Sequence, residues 1–140
     1  MILPGGQQAI ERVLPGFAHE LVAASAVLGV DPVRLRHYPD GGLAAHDIDE
    51  LADHVIGLCS ATAAAGMLVF DEGGVTGHPD HRAATAAAVR AADELGLPVL
   101  AWAIPGEVAH LLNDGFGTRF VGRRDDELDV AISVDRDRQL

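Results

Sequence analysis

Two histidines three residues apart, His78 and His81, are the side chains in this sequence best spaced to do chemistry together. A neutral imidazole can bind a metal, and a protonated one can give up its proton near neutral pH. Pro79 lies between them and fits the first turn of a helix, where its missing N–H costs nothing. The alanine-rich run Arg82 to Leu95 then propagates the helix. His78 falls at or just before the N-cap and His81 in the first turn. Residues three apart share a helical face, so both rings can point into one site. The positive end of the helix dipole disfavours imidazolium, which suits His81 to a metal. Asp80 pushes the other way and favours the charged form of a neighbouring ring, His78. That division gives one imidazole for a metal and one for proton transfer. The same letters also describe a helix start with two solvated histidines, since two imidazoles fall short of a zinc site.

Positioning such a pair needs a strand, a short loop and a helix N-terminus, the place where open α/β sheets hold ligands. Met67 to Phe70 is an apolar run that reads as a buried strand. Asp71 ends it, either as a polar strand end or as a hydrogen-bond partner for a histidine or a sugar hydroxyl. Pro79 to Leu95 is the following helix, closed by Gly96, and Val99 to Ile104 is the next apolar strand. Trp102 within it reads as a core residue. Upstream, Phe17 to Leu28 is a helix stopped by Gly29, and Val33 to Arg36 a short strand. Pro39, Asp40 and Gly41 form a turn in which Asp40 is structural. Asp47 to Ala64 is an amphipathic helix with Ile48, Leu51, Val55 and Leu58 on one stripe. Met1 to Gly16 reads as loop. After Pro105 the expectations are a helical turn at Val108 to Leu112 and strands at Phe120–Val121 and Val130 to Val134.

Alternating strands and helices predict a Rossmann-like α/β fold, a mainly parallel sheet with flanking helices. At 140 residues, with no linker or repeat, a single domain is the natural count. Ten basic residues, all arginine, stand against 21 acidic ones, a formal net charge of −11. Such a balance argues against nucleic acid and anionic membrane surfaces as partners. No apolar run approaches the length of a membrane span, and no secretory leader is legible, so the expected compartment is cytoplasmic. The lone Cys59 reads as a small core residue. His19, His37, His54 and His110 lack partner spacing and read as solvated.

Gly77 to Ala84, GHPDHRAA, resembles the second motif of the LmbE-like, or PIG-L, zinc-dependent N-deacetylases. Other pieces follow in that family's order. His19-Glu20-Leu21, Ala23-Ala24 and Leu28-Gly29-Val30 resemble its early helix. Pro39-Asp40-Gly41 with Leu43 resembles its D-G-x-L loop, and Asp129-Val130 its late strand. The resemblance runs from about Phe17 onward, and GHPDH is its specific part. The family's opening A-H-P-D-D-E motif, which follows its first strand, has no counterpart here, nor does its closing segment. The chain therefore resembles a truncated, incomplete domain, the middle of a deacetylase. Ala45 to Glu50, AHDIDE, spells something close to the opening motif and raises His46 and Asp49 as ligands. It also opens a helix with no strand before it, where Asp47 as N-cap with Glu50 at N3 makes a capping box.

The resemblance implies metal-assisted amide hydrolysis of small-molecule N-acetylated sugar conjugates, chiefly of N-acetylglucosamine type. His81 would be a ligand to Zn2+. His78, assisted by Asp80, would stabilise the oxyanion or protonate the leaving amine. Asp71 would contact substrate. The alternative expectation is a non-catalytic, deacetylase-like remnant or interaction subunit. A sheet lacking that first strand leaves apolar edges unpaired, which favours a homo-oligomer.

Overall fold

The computed structural model describes residues 17–30 and 33–132. These fall into two compact units that divide after Pro39. The expected loop from Met1 to Gly16 lies outside the described residues.

The first unit contains helix α1, Phe17–Leu28. Gly29 ends it at φ 69°, and the Val30 amide reaches back to the Ser25 carbonyl at 2.8 Å. A left-handed residue followed by this long backward bond satisfies the last carbonyls of the helix. Val33 to Arg36 is not a strand: it has no ladder partner among the described residues, and four residues do not hold a strand without one.

In the second unit Asp47 is the N-cap of helix α2, Ile48–Thr62. Its carboxylate accepts from the amides of Asp49 and Glu50 at 2.8 and 3.3 Å. Strand β1 is Met67–Phe70, helix α3 is Pro79–Leu95 and strand β2 is Val99–Trp102. The cause of the α2–α3 packing is composition. Ala87, Ala88, Ala91 and Ala92 of α3 are buried, with Leu51, Ala52 and Cys59 of α2. Small side chains let the helix backbones approach closely, and Ala91 is fully buried.

β1 and β2 pair in parallel, Met67 opposite Val99 through Phe70 opposite Trp102. The run VLAWAI does not continue as one strand. Ile104–Pro105 forms β3 and pairs in parallel with β4, Gly122–Arg123. Between them lies helix α4, Gly106–Phe116, a full helix where the sequence suggests one turn. Val75, Ile104 and Ala109 form a small core with Phe120 against it. The strand expected at Phe120–Val121 falls two residues later. Its cause is the Val121 amide, which bonds the Val75 carbonyl instead of a ladder. Val130 to Ile132 is not a strand, and the residues beyond lie outside the described ones.

The architecture is α/β, with parallel strand pairs and flanking helices in a partial Rossmann-like arrangement. Two burial expectations are corrected. Leu68 is 72% exposed, so β1 is covered on one side rather than buried. Trp102 is 49% exposed and is not a core residue. β1 alternates half-buried and exposed residues, and β2 is exposed along its whole length. No described helix is long and apolar enough to cross a membrane.

Candidate active site

The site is assembled where β1 ends. Thr85 of α3 donates its hydroxyl to the Phe70 carbonyl at 3.0 Å, tying the helix to the last residue of the strand. Asp71 follows, 5% exposed. Its carbonyl accepts from the Gly74 amide at 2.8 Å, and its carboxylate accepts from the Val75 amide at 2.9 Å. The loop closes into a helical turn, Gly74–Gly77, whose Val75 sits at φ 63°, ψ −55°. A β-branched residue there is strained by about 1–3 kcal/mol and persists only where its surroundings hold it. Here Asp71 holds its amide and Val121 its carbonyl. Gly74 has no alternative: a Cβ there would lie 2.9 Å from Arg82 Cγ and 3.1 Å from His81 Cβ.

The strained turn aims one backbone group at the chemistry. The Gly74 carbonyl lies 3.1 Å from His81 Nδ1. A carbonyl can only accept, so in the neutral ring Nδ1 carries the proton and Nε2 has the lone pair. This is how metal-binding histidines are ordinarily held. Phe70 stacks on the His81 ring with centroids 4.3 Å apart and fixes its plane.

His78 is the N-cap of α3, extended at φ −64°, ψ 129°. Its Nδ1 accepts from the Asp80 amide at 3.2 Å. An accepting Nδ1 has no proton, so the neutral ring carries its hydrogen on Nε2 and is a donor there. The two rings come together, centroids 5.0 Å apart and tilted by 37°. One presents a lone pair and the other an N–H.

The carboxylate of Asp80 does not stand beside His78 to hold it charged, as the sequence suggests. The Asp80 carboxylate points back to the upstream loop and accepts from the Gly41 and Leu43 amides at 2.7 and 2.9 Å. It ties Gly41 and Leu43 to the start of α3, while its backbone serves His78. Asp71 likewise is committed within the protein. Its second oxygen pairs with Arg123 Nε at 2.6 Å, and that bond raises the Arg123 pKa against the opposing effect of burial. Sequence reasoning missed Arg123 because 52 residues separate it from Asp71 and no local pattern marks the pair.

Asp49 pairs with Arg90 at 3.1 Å and Asp47 caps α2, so the AHDIDE stretch has a structural account. A cavity of about 750 Å³ runs between α2 and α3, lined by His46, Ile48, Leu51, Glu72, Pro79 and Arg82 among others, with neither imidazole of the pair in its wall. His110 lies 3.4 Å from Asp114 one turn on, an exposed pair.

His81 Nε2 fits one position of a metal ion. Among the described residues no group of three or more His, Cys, Asp or Glu could hold one, so these residues do not by themselves complete a zinc site.

No curated protein and no solved structure matches the chain. Residues 10–92 match the family described as PIG-L: GlcNAc-PI de-N-acetylase. The matched span holds β1, the His78–His81 turn and most of α3, and exceeds half of the 140 residues. The chain belongs to the PIG-L, or LmbE-like, family of N-deacetylases and related hydrolases.

Proposed function

We propose that this chain carries the imidazole part of a metal-dependent N-deacetylase site for N-acetylglucosamine-type conjugates. The observation that carries the reading is the complementary pair: a lone pair on His81 Nε2 beside an N–H on His78 Nε2. His81 supplies one metal ligand, and the remaining ligands come from outside the described residues. As water adds to the acetyl carbon, its proton passing to a base outside the described residues, His78 Nε2–H would hydrogen-bond the acetyl oxygen that gains charge. The departing amine would take the proton that the water gave up as the C–N bond breaks. A donor placed where charge develops is worth more in the transition state than in the ground state. Asp71 acts on substrate indirectly, through the turn that orients His81, and Asp80 does so through the backbone that orients His78.

A second reading has its own support. With one metal-facing nitrogen among the described residues, the chain fits a deacetylase-like subunit that works with a partner, or as a homo-oligomer.

Nitrogen-15 NMR of the histidine rings during zinc titration tests the assignment. The expected result is a perturbation at His81 Nε2, with zinc lost on dialysis against a weak chelator. Retention of about one zinc per chain, or perturbation centred on His46, would overturn the ligand assignment. Acetate release from methyl N-acetyl-β-glucosaminide by this chain alone is expected to stay at background. Release that disappears in His81→Ala would decide against the subunit reading.

A further inference from the structure

Beside the histidine pair lie two rings, Trp102 and Phe70, to which the proposed chemistry gives no step. Trp102 and Phe70 are register partners at the C-terminal ends of β2 and β1. Their centroids are 5.9 Å apart at 53°. Phe70 in turn stacks on His81, and His81 leans on His78. The order Trp102, Phe70, His81, His78 is thus continuous, leading from an open sheet edge to the candidate catalytic groups. Phe70 is 36% and Trp102 49% exposed.

Large aromatic rings left half open at the carboxyl ends of parallel strands stand where ligands of α/β sheets are bound. Their tilt makes an angled trough rather than a flat wall. A pyranose has one face of axial C–H groups and a rim of hydroxyls, so it rests on an aromatic face and leaves its rim to water. Its width is about one ring spacing, so a sugar on Trp102 and Phe70 can lay a substituent over the imidazoles. A formal charge of −11 further favours a neutral ligand over an anionic one.

Resting on the reading of His78 and His81 as a deacetylase pair, we infer that Trp102, with Phe70, is the platform on which the hexosamine ring of the substrate stacks. The acetamido group then projects along the row toward His81 and His78. Trp102 is a binding residue that sets preference for a sugar amide over an acyclic one.

The chain has one tryptophan, so its emission reports on this position alone. The unmodified chain is titrated with methyl N-acetyl-β-glucosaminide while saturation transfer to the sugar protons is followed by NMR. The inference expects a saturable change in emission with the same midpoint as the saturation transfer. Trp102→Leu should weaken binding about tenfold and Trp102→Phe about threefold, in line with the value of an aromatic stack. N-methylacetamide should leave the emission unchanged. Saturation transfer without an emission change, or equal binding by Trp102→Leu, overturns the platform and leaves the histidine reading intact. No saturation transfer at all also overturns it, the histidines being judged separately by the zinc titration. An emission change given equally by methyl β-glucoside, with no movement of the imidazole signals, keeps the sugar contact but refutes the histidine pair as its acetamide site.

Discussion

The two faces of strand β1 differ in how far they are covered. On one, α3 lies against the strand, and Thr85 ties the helix to the Phe70 carbonyl. On the other, Leu68 and Leu100 stand side by side in register, 72% and 43% exposed. Parallel sheets are normally covered on both sides, so one face is finished and the other waits for a cover. The histidine pair sits at the border. Its orienting hydrogen bonds come from the loop and the start of α3, the Gly74 carbonyl and the Asp80 amide in a turn held by Asp71, while Phe70, on the Leu68 face by alternation, stacks on His81. The difference teaches that the geometry of the pair can be complete while the cleft around it is not.

The largest effect should come from removing the clamp on the finished side. Asp71→Ala leaves the Val75 amide without its buried acceptor and Arg123 without its partner. Arg123 keeps some access to water, which discounts its share, and the expected loss is about 3 kcal/mol. Urea unfolding should show a lower midpoint at unchanged slope, and the His81 ring signals should broaden. A loss below about 1 kcal/mol would mean that the Val75 turn holds without Asp71. Next comes the helix layer. Ala91 is fully buried, so Ala91→Leu should cost about 2 kcal/mol by forcing α2 and α3 apart. A neutral result in thermal unfolding would show that the interface is looser than its burial implies.

Much of this side was legible in the sequence because its causes are local. Pro79 fixes the start of α3 and Gly96 its end, and both bounds agree with those read from the letters. Asp47 capping α2 is likewise a three-residue signal. What could not be read has long-range causes. Asp80 bonds amides 37 and 39 residues away, and nothing in GHPDH distinguishes that from a charge held beside His78. The exposure of Leu68 and Trp102 depends on what is missing from one face of a sheet, whereas an apolar run reads the same covered or bare. The strained Val75 was invisible for a related reason, since its positive φ is imposed by Asp71 and Val121 rather than favoured by valine.

A smaller effect is expected at Asp80. Asp80→Ala removes two hydrogen bonds to the Gly41 and Leu43 amides but leaves its own backbone N–H to serve His78. The Gly41 end is exposed, so the cost should be about 1 kcal/mol. Hydrogen exchange should speed at Gly41 and Leu43, while the His78 ring signals keep their positions. Movement of those ring signals comparable to that in a direct His78 contact variant would restore the carboxylate as a partner of the imidazole.

The smallest effect is the sharpest test of the comparison, because it sets two neighbours on one strand against each other. Leu68 and Val69 point to opposite faces, since side chains alternate along a strand. Val69 is the less exposed of the two, on the face that carries α3. Val69→Thr places a hydroxyl there and should cost about 1–2 kcal/mol. Leu68→Thr changes a side chain that is mostly in water and should shift stability by less than about 0.5 kcal/mol. If a second copy covers the bare face, Leu68→Thr should also weaken self-association in sedimentation velocity, with Val69→Thr affecting association no more than its loss of stability explains. Equal unfolding costs for the two variants would mean that the Leu68 face is covered within the chain in solution, and the contrast between the faces of β1 would fall.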